Sequence, residues 1–234
     1  VLVERGLFES RARARAAIEA GHVIADDQRL LRPSDLISPR ARLLAEPAHP
    51  FVSRGGVKLE GALERYPVVI QDRVCLDIGA STGGFTQVLL QRRAALVYAV
   101  DVGRAQLHPS LHGHPRLKSM EQTDIRSLDP SLLAVRPAVI VIDVSFISLK
   151  SVLPVALSFA AADATLLALI KPQFEAGRAH SKRGIVRDAD LHRAICEDIA
   201  GLAATLGCSH IATFPSPITG GDGNVEFFLG ARHG

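Results

Sequence analysis

Tryptophan is absent from this chain, methionine occurs once and tyrosine twice, and aromatic residues together make up 5% of it. Cysteine is almost as scarce. Cys75, Cys196 and Cys208 stand far apart with no CxxC pair, which excludes a disulfide framework and gives no zinc-ligand spacing. His22, His49, His108, His112, His114, His180 and His192 are not spaced as metal ligands either, so no metal is expected. No apolar run approaches the roughly 18 residues of a membrane span. The longest, around Ala164–Ile170, is closed off by Asp163 and Lys171. The opening Val1-Leu2-Val3-Glu4-Arg5 carries no signal-peptide pattern and no initiator Met. The expectations are a cytoplasmic, reducing location and a natural start slightly upstream.

What is present fits a soluble globular protein, with 47% hydrophobic and 22% charged residues in a chain of 234. That length allows one ordinary domain and a small extra module. The net charge of +3 permits a polyanionic partner without establishing one.

Two textures divide the chain. The first stretch, 1–46, is rich in Arg and Ala, with a helical segment from Ser10 to Ala20. Ser10 suits the N-cap and Gly21 the termination. Ala14, Ala17 and Ile18 share one face, Arg11 and Arg15 another, and a turn follows at Asp26-Asp27. A Pro-punctuated link is expected over 47–55, then a larger domain over 56–234. In that domain apolar, strand-like runs at 74–77, 96–101, 138–143, 165–170, 211–214 and 225–230 alternate with helical stretches near 58–66, 82–92, 149–159 and 188–206. Such alternation indicates an α/β fold with a mostly parallel sheet covered on both faces. The Pro/Gly-rich link from Pro215 to Gly223 leaves no room for a crossover helix and suits an antiparallel last strand.

The strongest local signal is Val74-Cys75-Leu76-Asp77-Ile78-Gly79-Ala80-Ser81-Thr82-Gly83-Gly84-Phe85-Thr86. It follows a strand and opens a helix, where open parallel sheets bind ligands. A dinucleotide fingerprint needs Gly where Ser81 stands, and a phosphate-binding P-loop needs Lys where Phe85 stands. An acidic residue (Asp77) beside a glycine loop suits a cationic, phosphate-free nucleoside such as S-adenosylmethionine. Asp101, with Val102 after it, ends the second strand, where a carboxylate accepts both ribose hydroxyls. Asp124 follows the next short strand and is expected near the adenine edge. The expected cradle is Asp77, Gly79, Ala80, Ser81, Gly83, Gly84, Phe85, Asp101, Val102, Asp124 and Asp143. The competing reading is a tight strand–helix turn with a capping Asp.

Polar residues on the same edge are candidates for chemistry. Asp143 ends one apolar strand and Lys171 the next, Glu226 interrupts the apolar run 224–229, and Lys58 follows Ser53-Arg54-Gly55-Gly56. Any one of them alone is as easily a cap or a solvated charge. Opposite charges that pair lower the cost of burial, and an amine flanked by apolar strands can give up its proton to serve as a base.

Lys58, Asp143, Lys171 and Glu226 resemble the Lys-Asp-Lys-Glu tetrad of the FtsJ-like ribose 2'-O-methyltransferases. The surrounding words, Ser53-Arg54-Gly55-Gly56-Val57-Lys58-Leu59, Asp143-Val144-Ser145-Phe146-Ile147-Ser148-Leu149, Lys171-Pro172-Gln173-Phe174-Glu175 and Gly223-Asn224-Val225-Glu226-Phe227, resemble the haemolysin-labelled TlyA branch. The resemblance covers nearly the whole chain. It implies a Rossmann-like S-adenosylmethionine-dependent methyltransferase fold preceded by a small α+β S4-like RNA-binding domain, shortened at its start. It also implies 2'-O-methylation of cytidine in ribosomal RNA or ribosomal subunits, with Lys171 as the central catalytic residue. Asp143 and Lys58 would polarise the hydroxyl, and Glu226 would complete the network.

Arg11, Arg13, Arg15, Arg54, Arg178, Lys182 and Arg183 are the candidate RNA-phosphate contacts. The ten Lys/Arg against eight Asp/Glu in residues 1–60 leave a solvated charged surface as the alternative. Few aromatics favour recognition by shape and backbone over base stacking. An amino-methyltransferase would carry an Asp/Asn-Pro-Pro-aromatic motif where Asp143-Val144-Ser145-Phe146 stands, and a cytosine-C5 enzyme a Cys nucleophile. The non-enzymatic alternatives are an RNA-binding protein with a silent methyltransferase fold and a membrane-lytic haemolysin.

Overall fold

The computed structural model describes residues 1–176 and 185–234. The chain divides into two compact units, Val1–Pro50 and Phe51–Gly234.

In the smaller unit, Ser10 caps helix α1 (Arg11–Glu19), its side chain accepting from Arg13 N at 3.3 Å. Gly21, at φ +73°, adopts the left-handed conformation that ends helices. Strand β1 (Val23–Ala25) turns at Asp26 and Asp27 into β2 (Gln28–Arg29). Both turn residues have positive φ, as a two-residue hairpin with the twist of its strands requires. β3 (Leu43–Ala45) pairs along the other side of β1. Ala14, Ala17 and Ile18 are buried together with Phe8, Val23, Leu30 and Ala41 in one small core.

The larger unit runs α2 (Arg54–Arg65), β4 (Val74–Ile78), α3 (Gly84–Gln91), β5 (Leu96–Val100), β6 (Leu117–Met120), β7 (Val139–Ile142) and α4 (Leu149–Ser158). It continues through β8 (Ala164–Ile170), α5 (Pro172–Glu175), α6 (Ala189–Thr205), β9 (Cys208–Pro215) and β10 (Phe227–His233). Arg54 and Gly55, expected in the link, are the first two residues of α2. The glycines there serve packing: a Cβ on Gly56 would collide with the ring of Phe51.

The seven strands lie in the order β6-β5-β4-β7-β8-β10-β9. β6 through β8 are parallel, and β10 is antiparallel to both neighbours. The last strand therefore reverses as expected, but it inserts between β8 and β9 and leaves β9 on the edge. Side-chain alternation splits the apolar strands between two cores. Leu76, Ile140 and Leu166 pack with α4 and α6, whereas Cys75, Val141 and Leu167 pack with α2 and α3. Each fully buried Leu or Ile contributes on the order of 1.5–3 kcal/mol. The connections from β4 and β7 leave in opposite directions, and the crevice between their carboxyl ends is where this class of sheet places its ligand.

Candidate active site

The glycine loop closes the carboxyl end of β4. Gly79 has φ +83°, and a Cβ there would run into the backbone carbonyl of Asp143, so only glycine lets the two loops meet. Gly83, at φ +90°, is the N-cap of α3. A Cβ on Gly84 would fall 2.8 Å from Gly56 N, so this glycine brings the first turns of α2 and α3 together. Asp101 holds the loop from the side, accepting from Ser81 N at 2.8 Å and from Gly103 N at 2.7 Å.

Two cavities open along this edge. One, of about 220 Å³, has Ile78, Ile125, Val144 and Ile147 as apolar walls and Asp101, Thr123 and Asp124 as polar members, with Gly79, Val102, Arg126 and Ser145 also lining it. Apolar walls around a few placed polar groups suit a flat heterocycle with its sugar. The second, of about 170 Å³, is lined by Ser53, Gly55, Gly79, Ala80, Ser81, Thr82, Gly84, Phe85, Asp143, Ser145 and Lys171. Gly79 and Ser145 belong to both cavities. The donor set fits S-adenosylmethionine: a nucleoside pocket ending at a carboxylate, continuous with a glycine-lined pocket that holds no phosphate-binding Lys or Arg from the loop itself. A larger cavity of about 470 Å³ lies in the smaller unit, lined by Leu2, Ala14, Ile18, Leu30, Arg11 and Arg15 among others. It assembles no comparable set of reactive groups.

Asp124 lines the nucleoside cavity, but its carboxylate is already engaged. It caps a short 3-10 turn through Arg126 N and meets the Arg126 guanidinium at 2.6 Å. The Arg126 hydrogen bonds hold Asp124 below the usual carboxylate range. Two expected cradle residues lie outside both cavity linings. Gly83 faces Leu107 and Leu111, which a Cβ would strike. Asp77 is wholly buried and accepts from Thr86 Oγ1 at 2.6 Å. Alternation along β4 puts Asp77 on the same face as Cys75, against α3. Burial pushes its carboxyl up to about 7, with the charges of Asp143 and Asp101 adding to the effect and the Thr86 hydrogen bonds opposing it.

The tetrad residues form two ion pairs. Lys171 Nζ lies 2.6 Å from Asp143 Oδ1 and Lys58 Nζ 2.6 Å from Glu226 Oε2. Both lysines and Glu226 are buried, and pairing is what makes charge there tolerable. The Lys171–Asp143 pair lines the second cavity. Lys58 sits one turn along α2 from Gly55, and neither it nor Glu226 lines that cavity. Glu226 immediately precedes β10 rather than lying in it, packed so closely that a Cβ on Gly220 would come within 2.6 Å of its Oε1.

Residues the sequence left unmarked complete the site. Lys171 Nζ donates to Ser145 Oγ at 2.9 Å. Glu175 accepts from Ser148 Oγ at 2.5 Å and from Leu149 N at 2.8 Å, tying α5 to the start of α4. Ser148 as a helix N-cap was a readable signal; the partnership with Glu175 was not. Burial pushes the Cys75 thiol up to about 12 and the Cys196 thiol to about 11, which leaves neither poised as a nucleophile.

Arg11 and Arg15 are exposed on α1 and Arg13 is half-buried. Arg15 pairs with Glu19 at 2.7 Å. Arg54 donates to the Thr219 carbonyl at 2.5 Å. Arg178, Lys182 and Arg183 lie outside the described residues. Among the described residues no group of three or more His, Cys, Asp and Glu could hold a metal ion.

A profile of the FtsJ-like methyltransferases matches residues 51–233. The chain is 42% identical to the 16S/23S rRNA (cytidine-2'-O)-methyltransferase TlyA of Mycobacterium tuberculosis, over 99% of this chain and 87% of that protein. It is 36% identical to Hemolysin A of Brachyspira hyodysenteriae, over 95% of this chain and 93% of that one. A solved structure described as a haemolysin from Streptococcus thermophilus superposes with a TM-score of 0.80 at 40% identity, covering 99% of this chain and 86% of the other.

Proposed function

The chain belongs to the FtsJ-like methyltransferase family, and on that footing we propose that it is an S-adenosylmethionine-dependent ribose 2'-O-methyltransferase acting on cytidine in ribosomal RNA. The observation that carries the reading is the Lys171–Asp143 ion pair lining a cavity that shares Gly79 and Ser145 with the one beside Asp101. A relative alike over nearly its whole length is named for this reaction.

S-adenosylmethionine would supply an electrophilic methyl group when bound. Asp101 would hold the ribose hydroxyls, Ile125, Val144 and Ile147 would enclose the base, and Gly79 leaves the room beside the Asp143 carbonyl that a side chain would fill. Lys171, held by Asp143, aims the substrate's 2'-hydroxyl oxygen at the methyl carbon. The hydroxyl proton lost on methylation would pass to the Asp143 carboxylate, or to the Lys171 amine when that amine is neutral, since a charged ammonium has no lone pair to accept it. Lys58 and Glu226 fix the floor of the site one helical turn away. In-line displacement of this kind draws much of its rate from positioning.

The smaller unit, an S4-like RNA-binding domain in this reading, presents Arg11, Arg13 and Arg15 to RNA phosphates, with Arg54, Arg178, Lys182 and Arg183 as further contacts. The same reading puts the protein in the cytoplasm with ribosomal subunits. A lytic role, suggested by the haemolysin names, has less support: among the described residues no helix is long and apolar enough to cross a membrane. A silent fold would not be expected to keep both ion pairs.

The test is methyl transfer from labelled S-adenosylmethionine to bacterial ribosomal subunits by wild type and Lys171→Ala. Wild type should leave a 2'-O-methylcytidine, and the variant should bind cofactor with near-normal affinity and transfer nothing. Substantial activity in Lys171→Ala would overturn the tetrad assignment.

A further inference from the structure

The loop after β7, which carries Asp143, and the segment after β8, which carries Lys171, are joined by contacts that the tetrad does not account for. Ser145 Oγ accepts from Lys171 Nζ at 2.9 Å. The rings of Phe146 and Phe174 lie 5.1 Å apart. Glu175 grips Ser148 Oγ and Leu149 N. Between them Phe146 stands at φ +65° and is 91% exposed, an uncommon backbone conformation for a bulky residue. These contacts join the two segments, and Ser145 brings one hydroxyl to the lysine.

We infer that Ser145 is a positioning residue for methyl transfer: it sets the direction of the Lys171 amine. The inference rests on the proposed role of Lys171 and adds to it. Asp143 Oδ1, 2.6 Å from the amine, supplies the counter-charge, and Ser145 Oγ, at 2.9 Å, is a second and uncharged partner. The chemistry of the two partners also differs. An ionised carboxylate only accepts, whereas a hydroxyl both donates and accepts and rotates freely about its C–O bond. Ser145 can accept from a charged Lys171 and donate to the lone pair of a neutral one. It keeps Nζ aligned while a proton arrives or leaves, which Asp143 alone does not do. Its place in the linings of both cavities puts this control where donor and acceptor meet.

Ser145 is exposed, so its substitution leaves the core intact. The experiment compares wild type, Ser145→Ala, Ser145→Thr and Lys171→Ala in single-turnover methyl transfer to ribosomal subunits, with cofactor affinity measured separately by calorimetry. Ser145→Ala should lose roughly tenfold or more in rate, the scale of a hydrogen bond to a charged group, with cofactor affinity unchanged. Ser145→Thr, which keeps the hydroxyl, should recover most of the rate. A wild-type rate in Ser145→Ala would overturn the inference. So would a parallel loss of cofactor affinity, which would make Ser145 a cofactor contact, or equal losses in the Ala and Thr variants, which would make it packing. An inactive wild type, or an active Lys171→Ala, would instead refute the proposed function, so the two failures are told apart.

Discussion

Glu226→Ala removes the carboxylate that meets Lys58 Nζ at 2.6 Å, where the two side chains are only 3% and 10% exposed. The lysine that remains has lost its counter-charge while its stem stays packed in α2. Breaking one partner of a buried pair costs about 3–5 kcal/mol. Partial solvent access at Lys58 argues for the lower end, about 3 kcal/mol. For a unit of this size each kcal/mol moves the melting point by roughly 2–4 °C, so the expected fall is about 6–12 °C. The double variant Lys58→Met/Glu226→Leu removes both charges and retains apolar volume, and it should regain most of that loss. Replacing a whole buried pair by apolar groups is often neutral. Thermal melts of wild type, single and double variants, each paired with methyl-transfer rates, separate the two roles of the pair. The double variant should be folded and inactive. A Glu226→Ala protein melting within a degree or two of wild type would refute the reasoning, because the pair would then carry no stability.

Gly79→Ala should abolish cofactor binding in a protein that still folds, since the new Cβ would strike the Asp143 carbonyl at a backbone φ of +83°; calorimetry with S-adenosylmethionine would detect retained affinity. Asp77 makes stability fall as pH rises. Its folded-state carboxyl sits near 7 against an ordinary 3.8, so between those values the native state holds a proton that the unfolded chain has released. Stability drains away across that window and levels off above it. Asp77→Asn, which cannot ionise, should gain on wild type between pH 4 and 7 in chemical denaturation. A constant gap across that range would contradict the assignment.

Much of the fold was legible because its signals are local. The apolar runs of β4, β5, β7 and β8 are buried on both faces, and a continuous run reads as a strand without knowledge of its neighbours. The edges were harder. β6 (Leu117–Met120) exposes Lys118 and Ser119, and β9 exposes Ser209 and His210 ahead of its apolar part; each lacks the run that marks an inner strand. In the site, Gly79 and Gly83 stood out because positive φ demands glycine, and Asp101 because it ends a strand beside them. Asp77 was expected beside the cofactor; it is buried against α3, accepting from Thr86 Oγ1, the side to which alternation from Cys75 also points. Ser145 and Glu175 stayed hidden for another reason. Their roles arise from contacts between segments 26 residues apart, and no periodicity in one sequence records such a pairing.

The central claim meets its most direct test in labelled methyl transfer to bacterial ribosomal subunits, followed by mapping of the modified nucleotide. The expected result is a 2'-O-methyl group on cytidine with wild type and none with Lys171→Ala at unchanged cofactor affinity. Label on a base rather than a ribose, or no transfer to any subunit despite cofactor binding, would contradict it.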